Sequence, residues 1–247
     1  MADERYAEFY EESPKLYLQS LFEESSTQKH RLGTVRKLSD GREFVYVKVG
    51  AANLAVAKAV QGEAMEANHA NIAVAATANI GARTVTVTLS NASVAANAYA
   101  EGTLHIQSNT AAGYYYKIKS HPAANANANL TLTLYDKIRG ANIANTCYAT
   151  LVKSPYKDVI VTPAAATQKI VGVPVIAMTA NYYGWVQKKG PCAVLVAGTL
   201  VAGDMAYEAA NGAVGPPAAN TVPTTQYVGR VLQLGANAAY GLVDLDL

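Results

Sequence analysis

The sequence predicts an all-β fold: a sandwich- or barrel-type β body preceded by an extended, partly helical N-terminal arm. Three observations carry this. The runs Arg83-Thr84-Val85-Thr86-Val87-Thr88-Leu89 and Leu130-Thr131-Leu132-Thr133-Leu134-Tyr135 alternate strictly between polar and apolar, which buries one face and wets the other. Strand-like runs recur about every ten residues between Gly, Asn or Pro punctuation, the pattern of a sandwich or barrel. Charged residues are only 15% of the 247, and a helical bundle needs Glu, Lys and Leu in quantity. The 51% hydrophobic content overstates the core, because about a fifth of the chain is alanine.

In chain order, Ser13-Pro14 is a helix start, with serine capping free N–H groups and proline fitting the first turn. Leu18, Leu21 and Phe22 follow at helical spacing, and Tyr6, Phe9 and Tyr10 form an aromatic cluster before them. A helix this short is marginal alone, so it lies either against its own domain or against a neighbouring subunit. Val35 to Val49 reads as a hairpin turning at Ser39-Asp40-Gly41. Further strands are expected at 83–89, 103–107, 114–119, 130–135, 159–161, 169–178, 183–187, 193–196, 226–233 and 239–246. Ala123 to Asn129 is a low-complexity loop or hairpin tip, and Asn211 to Asn220 a long uncharged loop. The stretches 50–58 and 197–204 echo each other faintly as small-residue turns that feed strands.

Residues 1–50 hold nine acidic and eight basic residues, and no alanine lies between Ala7 and Ala51. That break marks a boundary. The expected organisation is an arm at 1–31, a body built from 32–69 and 151–247, and an inserted β subdomain at 70–150.

Function classes are narrowed by what the residues offer. A net charge of +2 gives no field for nucleic acid. The acidic N-terminus has no apolar signal core, and 170–187, interrupted by Pro174 and Asn181, reads as strand and turn rather than membrane span. Cys147 and Cys192 make neither a disulfide framework nor a zinc site, so a reducing cytoplasm is the expected place of synthesis. His30, His69, His105 and His121 stand apart, no phosphate loop, dinucleotide fingerprint or nucleophile elbow is present, and no cofactor, metal or enzyme activity is expected. His105 reads as a packed or rim residue. Asp244 and Asp246 share a face of the last strand, which Leu242 interrupts.

The positive signal is aromatic. Tyr114-Tyr115-Tyr116 places rings on both faces of a strand, and Tyr182-Tyr183-Gly184-Trp185 does likewise. Tyrosine and tryptophan suit interfaces because they combine apolar area with a hydrogen-bonding tip. Subunit contact is favoured over a sugar platform, since no acid lies near Tyr182.

The stretch Val171-Gly172-Val173-Pro174-Val175-Ile176-Ala177-Met178-Thr179-Ala180-Asn181-Tyr182-Tyr183-Gly184-Trp185, then Gly190-Pro191-Cys192, Gly198 to Asp204 and Tyr240-Gly241-Leu242-Val243-Asp244, is similar to virion structural proteins of tailed bacteriophages. Ser39 to Tyr46 and Gly50 to Leu54 resemble the N-terminal part of the same group. The similarity covers most of 32–247, and its motifs mark the group rather than a role. Within that group the resemblance implies a head decoration (cement) protein: β-rich, often a homotrimer, made in the host cytoplasm and bound to the major capsid protein on the outer capsid surface. It implies no nucleic-acid or membrane partner. On that reading Tyr6, Phe9, Tyr10, Leu18, Leu21 and Phe22 dock the arm, and Tyr114, Tyr115, Tyr116, Tyr182, Tyr183 and Trp185 supply further contact. Removing 1–31 should then weaken capsid binding without unfolding the body. The rivals are a tail or tail-fibre receptor-binding module, and a glycan hydrolase assembled from two carboxylates about 5–9 Å apart.

Overall fold

The computed structural model describes residues 19–217, 225–233 and 236–247. It is all-β, with two curled antiparallel sheets. The chain divides into two compact units, one from residues up to Gly62 together with Asp158–Leu247 and one from Glu63–Lys157.

The first unit contains β1 (Val35–Lys37), β2 (Glu43–Lys48), β3 (Val60–Gln61), β10 (Ile160–Val161), β11 (Ile170–Pro174), β12 (Tyr183–Leu195), β13 (Met205–Glu208), β14 (Val214–Gly215), β15 (Tyr227–Gln233) and β16 (Tyr240–Asp246). Their order in the sheet is β10-β3-β11-β12-β16-β15-β13-β14, and the β1–β2 hairpin joins through β2 and β12. Gln61 of β3 stands opposite Ile160 of β10, so the chain leaves and re-enters this sheet on paired strands. The expected hairpin forms: Val35 faces Val45, Gly41 takes a φ of 87°, and the Asp40 carboxylate accepts from the Arg42 backbone N–H at 3.1 Å. That backbone bond, with the Arg42 side chain, holds the Asp40 carboxyl below its usual range.

The strands expected separately at 183–187 and 193–196 are one strand, β12, of 13 residues. Gly190 and Pro191 look like breakers, and the ladder does slip between Gln187 and Lys189, with Gly190 at a φ of 86°. The buried Gln187 side chain heals the slip. Its Nε2 donates to the carbonyls of Lys189, Gly190 and Pro191 at 3.0, 3.1 and 2.9 Å, groups whose burial without partners would be costly.

The second unit contains β4 (Ile72–Ala73), β5 (Thr84–Thr88), β6 (Thr103–Ile106), β7 (Tyr115–Ser120), β8 (Asn129–Leu134) and β9 (Tyr148–Val152), in the order β4-β9-β6-β7-β8-β5. The sheet curls until a bridge between Val74 and Val87 links its two margins. Alternation fills the inside: Val85, Val87, Leu104, Ile106, Ile118, Leu130, Leu132 and Leu151 are all buried in one cluster.

One device recurs in both units. Backbone N–H groups of Ala82, Ala98, Ala128, Tyr182, Asp204 and Ala239 close i→i+3 turns onto Asn79, Ala95, Asn125, Thr179, Val201 and Ala236. The third residue of each turn, Gly81, Asn97, Asn127, Asn181, Gly203 or Ala238, has positive φ, which defines a type II turn. β8, β12, β13 and β16 each begin on the residue after such a turn. The low-complexity run 123–129 is therefore an ordered lead-in to β8, and 201–204 leads into β13.

The N-terminal helix is not supported. Residues 1–18 lie outside the described set, and 19–31 hold turns and bends without helix. From residue 19 onward, tertiary partners hold the chain in a non-helical path. Buried Gln19 accepts from the Tyr46 hydroxyl at 2.7 Å and donates to the carbonyls of Glu23 and Tyr183 at 2.7 and 2.9 Å. Ser25 bridges to Tyr183, and Leu21 is buried. Residues 19–31 thus belong to the first unit rather than to a free arm, and deleting 1–31 removes part of its packing.

Gln19→Ala is expected to destabilise the first unit by about 1–3 kcal/mol, because it removes the acceptor of the buried Tyr46 hydroxyl and the amide donor to the Glu23 carbonyl, while the Tyr183 carbonyl keeps the Ser25 N–H. Trp185, the single tryptophan, lies in this unit, so urea unfolding followed by its fluorescence reads the effect directly.

Candidate interaction surfaces

The first unit presents the outer face of β13, β15, β16 and β12. Cross-strand register sets Met205, Arg230, Asp244 and Pro191 in one row, Gln233, Leu242 and Ala193 in the next, and Tyr240 beside Leu195 in a third. Val231, Val243, Leu245, Cys192 and Val194 point inward to the core. Tyr240 is 58% exposed, and Met205 and Leu232 are each 46% exposed. β16 therefore carries apolar side chains on both faces over its first half, and carboxylates outward over its second, at Asp244 and Asp246. A half-solvated antiparallel sheet normally alternates cleanly, so this break marks a face suited to being covered.

The second unit presents Tyr115, His105, Thr150 and Tyr148 outward. His105 stands directly opposite Tyr115 on one side and Thr150 on the other. Gln107, just beyond β6, donates its backbone N–H to the Tyr148 carbonyl at 2.8 Å, which puts that pair one step along the same face. Farther across, Thr86 and Thr131 hydroxyls lie 3.0 Å apart, and Thr88 donates to Asn129 at 2.9 Å.

The residues singled out from sequence distribute as follows. Tyr6, Phe9, Tyr10 and Leu18 lie outside the described residues. Phe22 is exposed, whereas Leu21 is buried in its own unit. Tyr115 is 62% exposed. Tyr114, Tyr182 and Tyr183 are half-buried. Tyr116 and Trp185 are corrections: both are buried and offer no face. Strand parity turns Tyr116 inward, where its hydroxyl donates to the Arg139 carbonyl at 3.2 Å. Trp185 closes an aromatic box with His30 and Tyr46, at centroid distances of 5.2 and 5.0 Å, while Tyr183 stacks on Tyr46 at 6.3 Å. Burying an aromatic of this size contributes roughly 4–6 kcal/mol as an upper bound, which favours the core position. His105, read as a packed or rim residue, is exposed, and Tyr148 and Tyr240 were missed. Parity was the available signal: Ala149 and Leu151 inward leave Tyr148 outward, and Val243 and Leu245 inward leave Tyr240 outward.

The buried His121, His69, Tyr99 and Cys192 side chains are held within their own units. In the second unit His121 Nε2 accepts from the Tyr99 backbone N–H at 2.9 Å and Nδ1 donates to the Pro122 carbonyl at 2.7 Å, which assigns the neutral ring. His69 lies 2.6 Å from the Tyr99 hydroxyl and 3.1 Å from the Ala92 carbonyl. Burial raises the Tyr99 phenol well above its ordinary value, with Glu66 and Glu63 adding to the shift. In the first unit burial pushes the Cys192 thiol up to about 12, the state of an inert core cysteine rather than a nucleophile. Among the described residues no three His, Cys, Asp or Glu side chains group to hold a metal. No helix among them is long and apolar enough to cross a membrane. No family model, curated protein or solved structure matches the chain.

Burial lowers the pKa of His121, opposed by its bond to Pro122 and aided by the charges of Lys157 and His69, and burial followed by Arg36 lowers that of His30. The unfolded rings bind protons more readily, so this stability is complete above about pH 6.5 and is lost as pH falls from there toward the lower folded values. Melting temperature should fall between about pH 7.5 and about pH 5.5, and His121→Asn should flatten the slope. Thermal circular dichroism at the two pH values checks both.

Proposed function

We propose that this chain is a non-enzymatic decoration protein of a tailed-bacteriophage head, made in the host cytoplasm and bound as a homotrimer to the assembled major capsid protein on the outer capsid surface. The observation that carries the reading is the two-faced apolar character of β16, with Tyr240 and Leu242 facing away from the core that Val243 and Leu245 fill. The likeness of 171–204 and 240–244 to virion structural proteins, given above, supplies the setting.

The mechanism is mechanical. A subunit that touches several shell subunits at once leaves only when several contacts break together, so modest interfaces add to tight retention. A standard interface buries about 1,600 Å² in total, shared between the two partners. In this reading residues 1–18 add a second contact, through Tyr6, Phe9, Tyr10 and Leu18. A tail or tail-fibre module is the second reading, favoured by the tyrosine and threonine face of the second unit.

Quantitative mass spectrometry of purified particles separates these. Near parity with the major head protein supports decoration, a ratio of a few per cent moves the protein to the tail, and absence from particles overturns both. The double variant Tyr240→Asp/Leu242→Asp should weaken rebinding to stripped heads at least about tenfold, equivalent to about 1.4 kcal/mol, while leaving the Trp185 unfolding transition in place. Unchanged rebinding would remove β16 from the interface.

A further inference from the structure

The second unit's outer face supports a separate proposal, which does not depend on the particle reading. We propose that it binds uncharged glycan, with Tyr115 and Tyr148 stacking on sugar rings and His105 and Gln107 bonding to hydroxyls.

The placement follows from register. Ile106 donates to the Tyr114 carbonyl at 2.9 Å, so the adjacent pair His105 and Tyr115 is of the non-hydrogen-bonded kind, in which side chains stand closest. Tyr148 lies diagonally across β9 from His105, within reach of a long side chain. Two rings thus flank an imidazole on one open sheet face, 62% and 45% exposed for Tyr115 and Tyr148.

The chemistry of the face selects the occupant. An apolar protein partner favours contiguous apolar surface, but here His105, Thr150 and Gln107 lie between the rings. A charged partner needs charge, and no carboxylate or guanidinium side chain belongs to the row; the nearby Arg139 donates to the Tyr115 carbonyl at 3.4 Å and lies over the ring of the inward Tyr116 at 5.1 Å. The outward lysine beside Tyr115 on β7, Lys117, pairs with Glu101 at 3.4 Å. A sugar ring presents a C–H face and a rim of hydroxyls, which matches aromatic faces interleaved with hydroxyl, amide and imidazole groups. Thr150 is also held in place: its hydroxyl accepts from the Asn71 backbone N–H at 3.0 Å. The rings stand on strands rather than on loops, so little ordering opposes binding.

The test uses the full chain and saturation-transfer NMR with maltoheptaose, cellohexaose, chitohexaose and a linear mannan oligosaccharide at millimolar concentration, with a thymidine oligonucleotide as the competing class. Binding of at least one of the neutral oligosaccharides is expected, with affinity falling about tenfold or more in Tyr115→Ala and in Tyr148→Ala. Both positions are exposed, so the variants should keep the parent melting temperature, and Tyr116→Phe serves as an inward control that leaves binding intact. No binding of any of the four sugars, binding undiminished in the two variants, or binding of the oligonucleotide alone would overturn the proposal.

Discussion

The first unit depends on the continuity of β12. Its N-terminal half pairs with β2 and β11 and its C-terminal half with β16, so a break between them would divide the sheet into separate pieces. The strand does kink where the register slips, and what carries it through is one side-chain amide spread over three carbonyls. The aromatic box around Trp185 and the apolar outer row beside Leu195 sit on opposite halves of the same strand. Both the core that fixes residues 19–31 and the outward row at Leu195 and Tyr240 are held in register by Gln187.

How much of this was legible in the sequence follows from which forces were local. The alternation in β5 and β8 is a direct print of one buried and one wet face, and the all-β class came from it. The β12 join was not legible, because Gly190-Pro191 carries the local signal of a break while the repair is a tertiary hydrogen-bond network. The N-terminal helix expected from Ser13 lies mostly in 1–18, outside the described residues, and from residue 19 the described chain is not helical for the converse reason. Leu18, Leu21 and Phe22 have helical spacing, but the Gln19 amide and the Ser25 backbone gain partners on β2 and β12 that no isolated helix offers.

The alanine- and asparagine-rich words had meaning beyond low complexity. Asparagine tolerates positive φ better than most residues and alanine adds no bulk, so runs such as Thr179-Ala180-Asn181 encode type II turns that aim the next strand. The surfaces were partly legible for a related reason. The aromatic runs fall on β7 and β12 and give no sign of Tyr148 on β9 or Tyr240 on β16, and only parity against the buried neighbours separates the outward Tyr115 from the inward Tyr116. That comparison requires knowing which face is the core.

The pairing of Gln61 with Ile160 has a consequence for how such a chain can change. The whole of 63–157 departs from and returns to a single rung of the first unit's ladder. To that unit the second is a closed loop, and loop closure costs only about 0.6 kcal/mol for each doubling of length. In closure entropy alone, exchanging it for a short turn, or for an unrelated domain with neighbouring termini, costs the host sheet little. The rung at Gln61 and Ile160 is thus a socket, through which new surface chemistry can be acquired by recombination without renegotiating the fold that carries it.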